Sequence, residues 1–271
     1  MIDHYLESAA RASIKTGSTV AEYIRERRPD CPIVGITAAE KATDIDLHKK
    51  SIYEDLFKVT SISEHYNSIL SIAKSYRTLL KKRPVKNEDL IRLLKAPKDD
   101  RERLMTIIPE DIKRDYKDKS LLINISKWVR HVLMEKPGFL YNKLWTATLL
   151  GLKEESFNKV AHLFKNTKYA GLFSDEGNER WWQTQVRQII YAKYPDDQSV
   201  FPWILGHKLP KISKKDYNVC HVCEKEFPEI VGYTDDAAKT PAPMHLRCSR
   251  IHPNFESTLY YDDVRIMEPA K

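Results

Sequence analysis

The stretch GSTVAEYIRERRPDCPIVGITA, residues 17–38, decides how the first third of the chain reads. Between Thr19 and Arg28, Val20, Ala21, Tyr23 and Ile24 sit among charges as one face of an amphipathic helix, with Ser18 or Thr16 as its N-cap. Pro29-Asp30 ends that helix. Cys31 to Thr37 is then a short run rich in β-branched residues, the pattern of a buried parallel strand. Leu56, Phe57 and Val59 mark a second strand, and Ser61 or Ser63 caps a long helix carrying Tyr66, Ile69, Leu70, Ala73, Tyr76 and Leu80 at close to a 3.6-residue period. Helix, strand, strand, helix in this order predicts an α/β layer over residues 1–84. Cys31, alone beside Pro32, reads as a buried small apolar residue.

Working outward, the 271 residues are 42% hydrophobic and 31% charged, enough apolar material for packed cores. The chain contains no apolar run of about 18 residues. Its first residues, MIDHYLESAA, carry acids rather than the basic and apolar regions of a secretory signal. The expected setting is therefore cytoplasmic, with no membrane partner. Only 8 glycines stand against 14 prolines, and neither GxGxxG nor GxxxxGK[ST] occurs, which argues against an enzyme built on glycine-rich phosphate loops.

Residues 85–200 read as mostly α-helical, with starts at Asn87, Asp99, Pro109, Ser120, Gly138, Lys153 and Ser174. Three apolar stripes, one from Leu121 to Leu133, one from Phe139 to Leu150 and one from Phe157 to Phe164, predict a bundle-like core. Trp181 and Trp182 follow Ser174-Asp175-Glu176, which reads as a helix start. Adjacent residues on a helix point about 100° apart, so one indole is expected in the core and the other exposed. In that arrangement Arg180 and the exposed Trp form a stacking site for a base or a partner side chain.

The most specific signal lies in residues 201–271. Cys220-His221-Val222-Cys223 is followed 21 residues later by His245-Leu246-Arg247-Cys248. A Cys-x2-Cys turn aims two thiolates at one point, and His245 and Cys248, three apart, share a face if they lie on a helix. Four N/S donors without a carboxylate fit tetrahedral Zn²⁺ in a closed, structural site. His221 reads as facing solvent, and His252 is an alternative to His245. A redox pair or a disulfide is the competing reading of the cysteines, without a secretion signal to favour it. The pattern resembles the treble-clef and related small zinc folds, which implies a metal scaffold and no particular activity.

Charge is uneven. Residues 74–98 hold nine Lys/Arg against Glu88 and Asp89, net +7, equal to the whole chain's excess. Lys81, Lys82, Arg83 and Lys86 are the densest part of that run, and Lys208, Lys211, Lys214 and Lys215 form a second, smaller basic patch. Either is a solvated surface or a contact for phosphates or an acidic partner. Residues 216–271 are net −4, which favours a stapling or protein-binding zinc module over one that reads nucleic acid directly.

Residues 17–38 also resemble the fourth-strand region of response-regulator receiver domains, where a helix with a charged Arg-Pro exit leads to a strand ending in Thr-Ala. Ile2-Asp3-His4-Tyr5-Leu6 resembles that family's phospho-acceptor strand. The resemblance covers about residues 1–80. It implies a partial flavodoxin-like α/β layer with Asp3 at the acceptor position, Thr37 as the switch hydroxyl and Lys58 near the place of the fifth-strand lysine. The acidic pair that binds Mg²⁺ in the family has no counterpart here, so the resemblance implies docking rather than phosphotransfer.

The expected protein is α+β and multidomain: a degenerate receiver-like domain over 1–84, a helical domain over 85–200, and a linker with a Cys/Cys/His/Cys zinc module over 201–271. The expected function is that of a non-catalytic regulator or adaptor with a structural Zn²⁺, docking to a protein partner in a signal-transduction or defence system. The alternative is a nucleic-acid-binding protein using the two basic patches. A metal-dependent hydrolase comes last, because no nucleophile, base and open metal position assemble from the sequence.

Overall fold

Three short strands, Ile2–Asp3 (β1), Val34–Thr37 (β2) and Asp55–Lys58 (β3), run parallel in the order β1-β2-β3. Ile2 pairs with Gly35, and Val34 to Thr37 pair in register with Asp55 to Lys58. They belong to a computed structural model that describes residues 2–3, 17–37, 52–114, 116–118, 120–135, 138–174, 178–220, 223–225, 230–233, 243–245, 249–250 and 268–269. Among these the protein is mixed α+β with helices predominant, and no helix is long and apolar enough to cross a membrane. The chain packs as two units, Met1–Val132 with Ala170–Asn178, and Leu133–Tyr169 with Glu179–Lys271.

In the first unit the helix Gly17–Arg27 (α1) buries Ala21 and half-buries Ile24 against Ile33, Ile52 and Tyr53. Ser18 lies inside this helix and is buried, so it is not the expected N-cap, and Thr16 is outside the described residues. Tyr23, on the outer face, is covered by the Arg27 guanidinium 4.2 Å from its ring centroid. Cys31 is only half-buried, a correction to the expected buried position, because the loop after Pro29 stays near the surface.

The long helix Tyr66–Lys81 (α2) is followed by Asn87–Leu93 (α3), Arg101–Ile107 (α4), Glu110–Arg114 (α5) and Leu121–Trp128 (α6). The last of these continues as a π-helical turn over Val129–Met134. Their apolar faces, with Leu79, Leu90, Leu104, Ile112 and Leu122, are fully buried. α2 packs on α6, so packing runs across residues 84–85.

Glu54 ties these pieces together. It is 2% exposed. Its Oε1 accepts from Tyr76 Oη of α2 at 2.7 Å and from Arg25 Nη2 of α1 at 3.4 Å, and its Oε2 accepts from Ser126 Oγ of α6 at 2.6 Å. Arg25 also donates to the carbonyls of Cys31 (2.8 Å) and Ile52 (2.7 Å). Arg130 donates to the Glu54 carbonyl and pairs with Asp55. A buried carboxylate is tolerated only when its lone pairs are met in this way.

In the second unit Leu140–Tyr141 (β4) pairs antiparallel with Trp181–Trp182 (β5), Leu140 opposite Trp182 and Tyr141 opposite Trp181. Between them lie Lys143–Leu149 (α7), capped by Asn142 Oδ1 accepting from Trp145 N, then Glu154–Phe157 (α8) and a 3-10 stretch over Ala161–Thr167. Gln183–Lys193 (α9) and Pro202–His207 (α10) complete the helices and pack on one another, across residues 200–201. The core gathers Tyr141, Leu150, Phe157, Phe164, Trp181, Val186 and Ile190. Gly206 lets α10 approach α7, since a Cβ there would lie 2.0 Å from the Leu150 carbonyl oxygen.

Two expectations are corrected here. The three apolar stripes do not form one bundle: the first, on α6, packs in the first unit, and the other two build the second. The helix expected to run from Ser174 through the Trp pair is a strand at Trp181–Trp182. The backbone hydrogen bonds from Tyr169 N to Arg180 O and from Gln183 N to Phe139 O hold it extended.

Glu54→Ala should destabilise the first unit by about 3 kcal/mol or more, because it leaves the Tyr76 and Ser126 hydroxyls buried without their acceptor and removes the ion-pair partner of Arg25. Burial first, and the Glu54 charge second, push the Tyr76 hydroxyl far above its ordinary value of 10.0. The native state therefore holds this proton, and its contribution is present below pH 10 and lost as pH rises above it. Tyr76→Phe should cost about 2 kcal/mol at neutral pH and flatten the alkaline fall in stability. Urea midpoints by circular dichroism at neutral pH and above pH 10 measure both, and an unchanged alkaline slope would refute the Tyr76 assignment.

Candidate functional site

The segment leading to Cys220 is fastened to the second unit before the first cysteine is reached. Asp216 is 3% exposed and closes a capping box with Ser213, accepting from Ser213 Oγ at 2.8 Å and Ser213 N at 3.0 Å. It also accepts from Ser156 Oγ at 2.9 Å and pairs with Lys159. The Asp216 carbonyl accepts from Lys153 N, and Asn218 N donates to the Gly151 carbonyl, both at 2.9 Å. Tyr217 stacks on His207 with ring centroids 3.5 Å apart, and His207 Nε2 meets the Gly151 oxygen at 2.9 Å. Gly151 has φ 67°, and a Cβ there would lie 2.7 Å from His207 Nε2, so this junction requires glycine.

From this anchorage the chain reverses at Cys220. Glu224 N donates to the Cys220 carbonyl at 2.9 Å, and Cys220 N donates to the Lys225 carbonyl at 3.1 Å. Glu224 has φ 55°, the left-handed conformation that lets a chain turn back on itself so tightly. Cys220 is buried and Cys223 half-buried, so both cysteines belong to one closed turn. Beyond it, Ile230–Tyr233 (β6) pairs antiparallel with Pro243–His245 (β7), placing His245 opposite Ile230, and Ser249–Arg250 (β8) pairs with Glu268–Pro269 (β9). His245 thus ends a strand. That corrects the expectation of a helix carrying His245 and Cys248. Proline at position 243 is compatible with the end of a two-stranded ladder, where one N–H faces away from the partner. Cys248, His221 and His252 lie outside the described residues, and of His245 only the backbone is described. Among the described residues no three His, Cys, Asp or Glu side chains converge as a metal cluster.

The three receiver-like positions fall at one end of one sheet. Asp3, Thr37 and Lys58 are the last residues of β1, β2 and β3, with Thr37 opposite Lys58. Thr37 is buried and Lys58 is exposed. The carboxyl end of parallel strands is where open α/β sheets place their ligands.

The basic and aromatic candidates separate. Lys81, Lys82 and Lys86 are exposed, whereas Arg83 is drawn to the carbonyls of Lys117 and Asp118. Lys208 pairs with Asp197 at 2.6 Å, and Lys211, Lys214 and Lys215 are exposed. Trp181 and Trp182 are both 2% exposed, not one in and one out. Trp181 meets Phe157 edge-on at 5.3 Å, and Trp182 meets Tyr169 at 5.6 Å. Arg180 is buried too, its Nε donating to the Met134 carbonyl at 3.0 Å. Neither indole presents a face to a base, because a strand inside a packed layer buries successive side chains on opposite sides. Glu54, Asp100 and Asp216, the buried acids among the described residues, are absent from the candidates read in the sequence. The Ser213-x-x-Asp216 spacing is a visible capping signal, while Glu54 shows only as a charge in the apolar run from Ile52 to Val59.

No family model, no curated protein and no solved structure matches the chain.

The Asp216 carboxyl is held well below its ordinary value of 3.8, chiefly by its hydrogen bond from Lys159, with Ser213 and Ser156 adding to it and burial opposing. Its contribution to stability is present above about pH 4 and is lost as pH falls toward the folded value. Asp216→Asn should lower Tm at neutral pH and flatten the acid limb of Tm against pH. An acid limb as steep as in the wild type would show that another group governs it.

Proposed function

We propose that the chain is a regulatory adaptor that docks to a protein partner, its C-terminal segment stapled by Zn²⁺ through Cys220, Cys223, His245 and Cys248. The observation that carries the metal reading is the turn at Cys220–Lys225, closed by two backbone hydrogen bonds around a left-handed Glu224. Such a turn holds two sulfurs on one short loop, and the antiparallel β6–β7 pairing sets His245 opposite Ile230, which is seven residues after Cys223. Three thiolates and one imidazole suit Zn²⁺ and leave no open position, so the ion's chemistry is that of a clamp. The acidic balance of residues 216–271 favours a protein over a phosphate backbone at this module.

The docking reading draws on the parallel order β1-β2-β3, which supports a partial flavodoxin-like layer with Asp3, Thr37 and Lys58 at its carboxyl edge. The alternative, nucleic-acid binding through residues 74–98 and 208–215, keeps exposed lysines but loses its stacking rings to the core. Binding of that kind must weaken steeply as salt rises from low to physiological concentration, with a slope set by the number of phosphates contacted.

Elemental analysis of the purified chain should find one equivalent of zinc. Cys223→Ser should lose it, and chelation should melt the C-terminal segment without moving the Glu54-dependent transition of the first unit. A metal-free chain with an unaltered C-terminal segment would refute the zinc assignment.

A further inference from the structure

The long helix α2 carries Ser71, Lys74, Ser75 and Thr78 at offsets of three, four and seven residues, a single stripe along one side, and Lys82 follows as its C-cap. That stripe lines a cavity of about 290 Å³ in the first unit. The opposite wall is the last turn of α3, with Arg92 and Leu93, and then Lys95, whose φ of 52° is uncommon for a residue with a side chain. The rest is the segment 170–174. It is clamped to α2 by Ser71 Oγ donating to the Ser174 carbonyl at 2.8 Å and by Phe173 N donating to Ser75 Oγ at 2.6 Å. Ser75 therefore accepts from the backbone and has its own proton to donate.

The charge in this cavity is one-sided. Lys74, Lys82, Arg92 and Lys95 all line it, and among the described residues no carboxylate does. Arg92 reaches Asp89 at 3.3 Å on the exposed side of α3. Among the described residues Lys74, Lys82 and Lys95 pair with no acid. Four cations around so small a space repel one another, and an anion seated between them removes that repulsion while collecting several charge-assisted hydrogen bonds. The volume is at the small end of ligand pockets and suits one or two phosphate groups.

We propose that this cavity binds a phosphate group, of a free phosphorylated small molecule or of a nucleic-acid terminus, through Lys74, Lys82, Arg92 and Lys95 with Ser75 as a neutral donor. The site stands independently of the zinc module.

Calorimetric titration of the full chain with inorganic pyrophosphate at constant ionic strength should show saturable binding. Lys74→Ala combined with Lys82→Ala should weaken it by about tenfold or more. Lys74→Arg with Lys82→Arg should retain it, and Lys193→Ala should leave it unchanged. Matching melting curves for the alanine and arginine pairs separate loss of the site from loss of the fold. A short single-stranded oligonucleotide with a 5′-phosphate, compared with its 5′-hydroxyl twin, then distinguishes the sources. Preferential, pyrophosphate-displaceable binding of the phosphorylated form assigns a nucleic-acid terminus, and equal behaviour of the two assigns a free small molecule. Absence of saturable pyrophosphate binding, or an alanine pair that binds as tightly as the wild type, overturns the proposal.

Discussion

The carboxylate of Glu54 is almost wholly removed from water, and everything around it in the first unit is arranged to make that tolerable. Its donors come from three different helices, Arg25 from α1, Tyr76 from α2 and Ser126 from α6. None of the three can be missing without leaving a buried charge or hydroxyl unmet, so sheet and helices are satisfied together or not at all. The acid also specifies register. Its N–H donates to the Ile33 carbonyl at 2.7 Å, and the next residue, Asp55, meets Arg130 nearer the surface. A one-residue slip of β3 would exchange the two acids and bury the wrong one.

Asp216 plays the corresponding part in the second unit, with a more local set of partners. Ser213 lies three residues before it, and Ser156 and Lys159 lie on and just after α8. The result is positional. With Asp216, Tyr217 and Asn218 all fastened to the Gly151–Lys153 turn, the chain arrives at Cys220 from a rigid base. A ligand turn hung on a fixed segment loses less conformational freedom on binding a metal than one hung on a free loop.

What the sequence made legible follows from local physics. The α1–β2 unit, β3 and α2 were readable because helix period, proline break and β-branched run act within a few residues of one another. The helix starts at Asn87 and Ser120 were readable for the same reason. The Trp pair was not. Its conformation is set by pairing with Leu140 and Tyr141, some forty residues away, and an acidic run before an aromatic pair looks like a helix start until that partner is known. Glu54 was hidden likewise, since its three donors lie 22 to 72 residues further along or 29 residues before it. Of the proposed zinc ligands, Cys220 and Cys223 fall on one turn, a local arrangement that the Cys-x2-Cys spacing makes legible. The strand at His245 was not legible, because Pro241 and Pro243 fit a helix start as well as a strand end.

The basic run of residues 74–98 can now be divided by what each cation does. Lys81 and Arg92 stand in the last turns of α2 and α3, where a positive charge is favourable beside the unpaired carbonyls. Arg83 is engaged by the carbonyls of Lys117 and Asp118. Helix ends and loop contacts therefore explain part of the excess. Lys95 follows the C-cap of α3, its left-handed backbone closing the helix through Lys95 N on the Arg92 carbonyl and Ala96 N on the Ile91 carbonyl. Helix ends do not explain Lys74, in the middle of α2 with hydroxyl neighbours on its own face. Lys74 lies where charge brings repulsion and no helix-end benefit. The proposed counter-charge in the cavity it borders would turn that placement from a cost into a gain.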